Sequence, residues 1–227
     1  KYDLTTIPVV SKTKAMLGII TVDDIIDVIQ EEHTEDMLQM HGVSKEESLD
    51  STLFESIKMR LPWLIVNLVT AFLASFTVKM FESTIEQIVA LSATMTIVTG
   101  MGGNAGSQTL SIMIRSIALG EVHFKDCLPA LMKEIFLGMI NGFVTGAITG
   151  VIVYFLYGNF YLGIIICIAM VGNLVVSGFF GFLIPVALKA VHADPALASS
   201  IFLTTATDVL GFFIFLELAN IFLPVLL

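Results

Sequence analysis

Charge is what this chain has least of. Asp, Glu, Lys and Arg make up 14% of its 227 residues, against a hydrophobic share of 56% and a mean hydropathy of +0.91. Those proportions exclude an ordinary soluble domain, whose charged share is about a quarter, and describe a polytopic membrane protein. Where acids are densest, basic residues are few. From Asp23 to Glu55 the chain carries Asp23, Asp24, Asp27, Glu31, Glu32, Glu35, Asp36, Glu46, Glu47, Asp50 and Glu55, with Lys45 as the single Lys or Arg. Such a run repels itself and anionic surfaces, which argues against nucleic acid as a partner and in favour of cations. Cysteine is nearly absent: Cys127 opens one apolar segment and Cys167 lies inside another, a pattern that reads as thiols rather than a disulfide. The opening Lys1-Tyr2-Asp3-Leu4 lacks the regions of a signal peptide, so the chain is expected to begin inside a larger protein.

Ile7-Pro8-Val9-Val10 and Leu17-Gly18-Ile19-Ile20-Thr21 read as two short strands around the polar Ser11-Lys12-Thr13-Lys14. A helix follows, capped by Thr21 or Asp23, with Val22, Ile25, Ile26 and Ile29 at helical spacing. Asp24, Asp27, Glu31 and Glu35 fall on its other face, with Glu32 and Asp36 round the side. By periodicity alone this stripe is a solvated face. His33 and His41 lie among the acids without a Cys or His pair at zinc-ligand spacing. Gly42 ends the helix, and 43–50 reads as a linker with Ser48 and Ser51 as candidate caps for the next one.

The membrane part opens with the amphipathic Leu53 to Leu61, then Pro62, suited to a first turn, and Trp63, suited to the interface. The first span runs to about Val78. A second apolar stretch runs from Ile85 to Leu119 and is interrupted by Gly100-Met101-Gly102-Gly103-Asn104-Ala105-Gly106-Ser107-Gln108. Keeping Lys45, Lys58, Arg60, Arg115, Lys125, Lys133 and Lys189 on one side, with only Lys79 opposite, requires one long span broken in its middle rather than two. Five spans follow from that choice. The third carries Gly138, Gly142, Gly146 and Gly150, a flat stripe for close packing. The fourth carries Asn173 and Ser177, and the fifth opens at Asp194-Pro195. The amino end is then cytoplasmic and the carboxyl end outside.

Asp208 is the residue that needs explaining. It sits near the middle of the apolar run from Ala196 to Asn220, among Thr204, Thr205 and Thr207. An acid at midmembrane costs on the order of 2.5 to 3.5 kcal/mol on insertion scales, so it must face a bundle interior, a wet cavity or a cation. A structural Asp bonded to a neighbouring helix is the alternative. The glycines from Gly100 to Gly106 permit unwinding, and Asn104, Ser107 and Gln108 offer neutral oxygens. With Asp208 this is an oxygen-rich, weakly charged site of the kind that suits a hard divalent cation that keeps its waters, such as magnesium. Glu134 can line the approach or pair with Lys133, Lys125 or Arg115. A single midmembrane acid does not supply the carboxylate pair of an aspartyl protease, so no enzyme is expected.

Gly102-Gly103-Asn104-Ala105-Gly106-Ser107-Gln108, Lys133-Glu134, Asp194-Pro195-Ala196, and Thr204-Thr205 with Asp208 and Gly211 together resemble the MgtE family of magnesium channels and transporters. Thr21 to Val28 and Thr34-Glu35-Asp36 resemble the end of the family's second CBS domain and its connecting "plug" helix. The resemblance divides the chain into residues 1–22, a CBS-domain remnant; 23–52, the acidic connecting helix and linker; and 53–227, a five-helix pore domain. It implies an all-α polytopic protein of the cell membrane, forming a homodimer with a pore lined chiefly by spans two and five. Asp208 from both subunits would hold hydrated Mg2+, with Gly102, Gly103, Asn104, Ser107, Gln108, Glu134, Asn173, Thr204 and Thr205 lining the path. Asp24, Asp27, Glu32, Glu35 and Asp36 would be regulatory acids that bind cytosolic Mg2+ and close the pore. Many relatives have proline where this chain has Ile201. Transport of Mn2+, Co2+ or Ca2+, sodium-coupled exchange, and a structural or sensory membrane domain are the competing readings.

Overall fold

In the computed structural model, residues 4–122 and 127–226 are described; the opening Lys1-Tyr2-Asp3 and Lys125 lie outside them. An antiparallel hairpin of β1 (Thr6–Val10) and β2 (Met16–Thr21) pairs Ile7 with Ile20 and Pro8 with Ile19, with a bulge between Val9 and Val10. Thr21 then caps α1 (Val22–Met40) through a reciprocal box. The Asp24 amide donates to Thr21 Oγ1 at 3.3 Å, while the Asp24 carboxylate accepts from the Thr21 amide at 2.7 Å. The apolar faces of hairpin and α1, including Ile7, Ile19, Ile25 and Ile29, are exposed. Gly42 ends the turn after α1 at φ +70°, where a Cβ would fall 3.0 Å from Trp63. Glycine is required there for both its left-handed backbone and its missing side chain.

Thr52, not Ser48 or Ser51, precedes α2 (Leu53–Met80), with Glu55 accepting from its amide at 2.9 Å. Pro62 lies inside α2 rather than in its first turn. α3 (Glu82–Gln87) ends at Ile88, whose φ of −132° and ψ of 85° break the helical path. α4 (Ala90–Ala118) is then one continuous helix. The expected break at Gly100 to Gln108 is therefore corrected: those residues are helical throughout, and the interruption falls upstream, at Ile88. The reason is energetic. Glycine in a helix costs about 1 kcal/mol relative to alanine, whereas each unsatisfied backbone group in a hydrocarbon setting costs several.

α5 (Cys127–Tyr157), α6 (Phe160–Ala190), α7 (Ser199–Ile221) and the short α8 (Leu223–Leu226) complete the chain. Among the described residues, four helices, α2, α5, α6 and α7, are long and apolar enough to cross a membrane. With 29 residues, α4 is long enough, at about 1.5 Å of rise per residue, but its threonines, glycines and amides keep it out of that set. α6 is the hub, packed on α4, α5 and α7, while α2 packs on α7 at the edge. The main core joins Leu91 and Val98 of α4, Ile166, Met170 and Leu174 of α6, and Phe215 and Leu216 of α7. A second cluster of Leu110, Ile114, Ala196 and Leu203 closes the other end.

Candidate functional site

α4 and α7 run antiparallel, as their shared contacts show. A Cβ at Gly102 or at Gly211 would strike the same side chain, Asn173, and one at Gly106 would strike Leu203. Asp208 therefore stands at a level between Gly102 and Gly106, which is also the level of Asn104 along the bundle. α4 sorts its residues by face at this level. Gly102 and Gly106 are buried, Gly103 and Ser107 are half-buried, and Gly100, Asn104, Gln108 and Ser111 are exposed.

Asp208 is half-buried and makes no hydrogen bond or ion pair among the described residues. Its threonine neighbours have spent their protons on the helix. Thr204 Oγ1 donates to the Ser200 carbonyl at 2.9 Å, Thr205 Oγ1 to Ile201 at 2.6 Å and Thr207 Oγ1 to Thr204 at 3.1 Å. What Thr204 and Thr205 still offer is lone pairs. The water shell of a cation points its hydrogens outward, so a carboxylate flanked by acceptor-only hydroxyls matches a hydrated ion better than a bare one. Among the described residues no three His, Cys, Asp or Glu converge in a way that could replace that shell.

The other candidates separate into open and closed. Asn173 and Gly102 are buried between helices and present nothing to the open face. Glu134 is half-buried, and its Oε2 accepts from Thr109 Oγ1 of α4 at 2.9 Å, not from Lys133 or Arg115. Glu217, absent from the sequence-based candidates, is a second half-buried acid on α7 without a partner among the described residues. Its signal was the same as that of Asp208, an acid within an apolar run.

The acids of α1 do not converge either. Asp24 is committed to the Thr21 cap, which lowers its pKa. Glu35 is bonded to both Gln39, at 2.6 Å, and Lys45, at 3.0 Å, beside a cleft that Asp27 and Glu31 also line. Glu32 and Asp36 face another way, into a cleft of about 650 Å³ with His33, His192 and Asp194, against the end of α4. Past this cleft, the end of α1 is joined to the start of α7. The Ala198 amide donates to the Gln39 carbonyl at 2.9 Å, and Ser200 Oγ donates to that of Met40. The sequence gives no sign that Asp36 and Asp194 meet.

Burial, then the Asp194 and Glu32 charges, push the Asp36 carboxyl above the usual range, with His33 pulling the other way and Glu35 adding to the rise. A carboxyl whose pKa is raised by docking stabilises the docked helix only while protonated. That contribution is complete below the unfolded value of about 3.9 and is lost as pH rises through the raised folded value. Above that raised value the charge is held against Asp194 and Glu32, with His33 relieving only part of the repulsion. Asp36→Asn is expected to slow hydrogen exchange at the Ala198 amide near neutral pH in chelator and to change nothing in acid. Unchanged exchange at neutral pH would remove Asp36 from the docking contact.

Residues 95–218, from α4 through most of α7, match the MgtE family model, described as a divalent cation transporter. The chain belongs to this family. Among curated relatives, it is 32% identical over 223 residues to the magnesium transporter MgtE of Bacillus subtilis and 33% identical over 222 residues to that of Enterococcus faecalis. It is 31% identical over 230 residues to the MgtE of Thermus thermophilus. Each alignment covers 98% of this chain and 49 to 50% of the relative, so this MgtE chain spans about half their length. The matched region contains most of α4, all of α5 and α6, and Asp208, and the acidic α1 lies outside it.

Proposed function

We propose that this chain forms a membrane pathway for magnesium ions, in which α4 is a fifth span beside α2, α5, α6 and α7. The observation that carries the reading is the Asp208 carboxylate, without a partner among the described residues in the middle of an apolar helix, flanked by hydroxyl acceptors and level with Asn104. A single carboxylate per chain leaves half of a divalent charge unmatched. A homodimer that brings Asp208 from both copies to one axis matches it, with the Asn104 and Gln108 side chains receiving the outer waters. With α4 crossing, Lys58 and Arg60 near the start of α2, Arg115 near the end of α4, Lys133 early in α5 and Lys189 late in α6 share one side, as the positive-inside rule requires of the cytoplasm. The amino end is then cytoplasmic and the carboxyl end outside, in the cell membrane.

Regulation is assigned to α1. Asp36 is repelled by Glu32, Glu35 and Asp194 until a divalent ion bridges such acids, and the joint from Gln39 and Met40 to Ala198 and Ser200 carries the change to the helix that bears Asp208. Asp24, Asp27, Glu32, Glu35 and Asp36 are the proposed regulatory acids, drawn together by cytosolic Mg2+ and by partner segments outside this chain. Residues 1–22 are read as a CBS remnant.

The test is influx into proteoliposomes holding a magnesium-sensitive dye, with Mn2+, Co2+ and Ca2+ as competitors, and with and without a sodium gradient. Saturable Mg2+ influx without sodium is expected. No flux under any of these conditions would overturn the transport reading for this chain and favour a structural or sensory domain. Flux that follows the sodium gradient would replace a passive path with an exchanger, and flux of another ion without Mg2+ would overturn the ion assignment.

A further inference from the structure

Asn173 of α6 has 0% exposure, enclosed among α4, α6 and α7. Its Nδ2 donates to the Val98 carbonyl of α4 at 2.7 Å, and one turn on, Ser177 Oγ lies 2.7 Å from the Gly102 carbonyl. Its Oδ1 is buried with no hydrogen-bond partner among the described residues. Both residues that face the amide across the helix contacts are glycines. A Cβ at Gly102 would fall 2.2 Å from Nδ2, and one at Gly211 would fall 2.8 Å from Oδ1. The planar amide thus fills a slot with one wall on α4 and the other on α7.

Burying an amide with one idle acceptor is costly in the low-dielectric centre of a bundle, and a leucine would fill the space without that cost. Nor does the Val98 bond rescue an orphan, since that carbonyl is already placed to accept the helical Gly102 amide. What the amide supplies is position. If α7 slid by one turn, the Cβ of Thr207 or Phe215, both buried on this face, would come to the place of Gly211 and collide with Asn173. The slot accepts one register.

We propose that Asn173 is a positioning residue of the ion path: it locks α7 to α4 at Gly211, less than one turn from Asp208, and so sets where that carboxylate stands relative to Asn104 and Gln108. The inference rests on the pathway proposed above. Asn173 does not touch the ion. It acts through Asp208.

Asn173→Ala, Gly102→Ala and the double variant are compared in proteoliposomes, reading thermal midpoint, maximal flux per folded protein and the Mg2+ concentration at half-maximal flux. Asn173→Ala is expected to raise the half-maximal concentration about fivefold to tenfold, with maximal flux held within about twofold. Gly102→Ala, which pushes the same amide from the other side, shifts it in the same direction. In the double variant the added methyl occupies vacated volume, so the thermal midpoint returns towards wild type while the half-maximal concentration does not. Recovery of both would make Asn173 a packing residue only and overturn the proposal, as would a half-maximal concentration within twofold of wild type in Asn173→Ala. If Asn173→Ala does not fold, the double variant alone carries the same two outcomes. Asp208→Asn runs in the same vesicles. Should it transport like wild type, the ion path itself fails and the Asn173 proposal falls with it; should it abolish flux while Asn173→Ala is unchanged, only the latter fails.

Discussion

Asp208→Asn is expected to abolish magnesium flux while leaving the bundle folded. The substitution keeps size and shape and removes one negative charge per chain. At an effective dielectric constant near 20, a divalent ion held with its water shell about 5 Å from a unit charge gains roughly 6 to 7 kcal/mol. Screening in a wet pathway takes part of that away, but a loss of about 3 kcal/mol is already more than a hundredfold in occupancy. Stability should hardly change, because Asp208 has no hydrogen bond or ion pair among the described residues to lose. Dye-reported influx and a thermal melt on the same preparation check both halves. Glu217→Gln is the control: nine positions further along an α-helix is half a turn round, so that acid faces away from Asp208 and its neutralisation should leave most of the flux. Retention of more than half of the wild-type flux in Asp208→Asn would place the path elsewhere.

The membrane class, the hairpin, the capped acidic helix and Asp208 were legible in the sequence because each rests on local chemistry. Alternating apolar residues, a Thr three positions before an Asp, and a lone acid in an apolar run declare themselves without knowledge of the rest of the chain. The helix through Gly100 to Gln108 did not. Its glycines permit unwinding, but they also permit α6 to press Asn173 and Ser177 onto α4, and only the partner helix decides between the two. The same residues show why the burial of the candidate lining positions could not be read from their order in the sequence. Gly102 and Asn104 are adjacent to the eye in sequence, yet two positions on a helix are about 200° apart, so one is buried and the other open. The encounter of Asp36 with Asp194 spans most of the chain and depends on how α1 meets the start of α7. No pattern within either segment encodes it.

The second large effect belongs to the glycine stripe of α5, which the sequence located without naming its partner. A Cβ at Gly138 would lie 2.5 Å from the Leu174 carbonyl oxygen of α6, at Gly142 2.6 Å from the Val171 Cα, at Gly146 2.9 Å from the Cys167 carbonyl oxygen and at Gly150 2.6 Å from the Gly163 carbonyl oxygen. These obstacles are backbone atoms that cannot rotate away. In lipid the two helices gain nothing from hiding apolar surface, so their association depends on van der Waals contact, and a gap of 0.5 to 1 Å forfeits about a quarter to a half of each contact's well depth. Gly142→Val is therefore expected to destabilise the bundle by roughly 3 kcal/mol, at the upper end of overpacking costs, and to reduce the yield of monodisperse protein. Gly142→Ala should lower the thermal midpoint by less. Gly103→Ala, with nothing within 4 Å of its added methyl, should leave the midpoint unchanged or raise it, since alanine favours a helix over glycine by about 1 kcal/mol. If Gly142→Ala melts like Gly103→Ala, the close α5 and α6 contact does not exist. If it melts lower, the flux per folded protein becomes the informative quantity: α5 holds α6, and α6 holds Asn173 between α4 and α7, so a loosened stripe should weaken apparent magnesium affinity through the same slot.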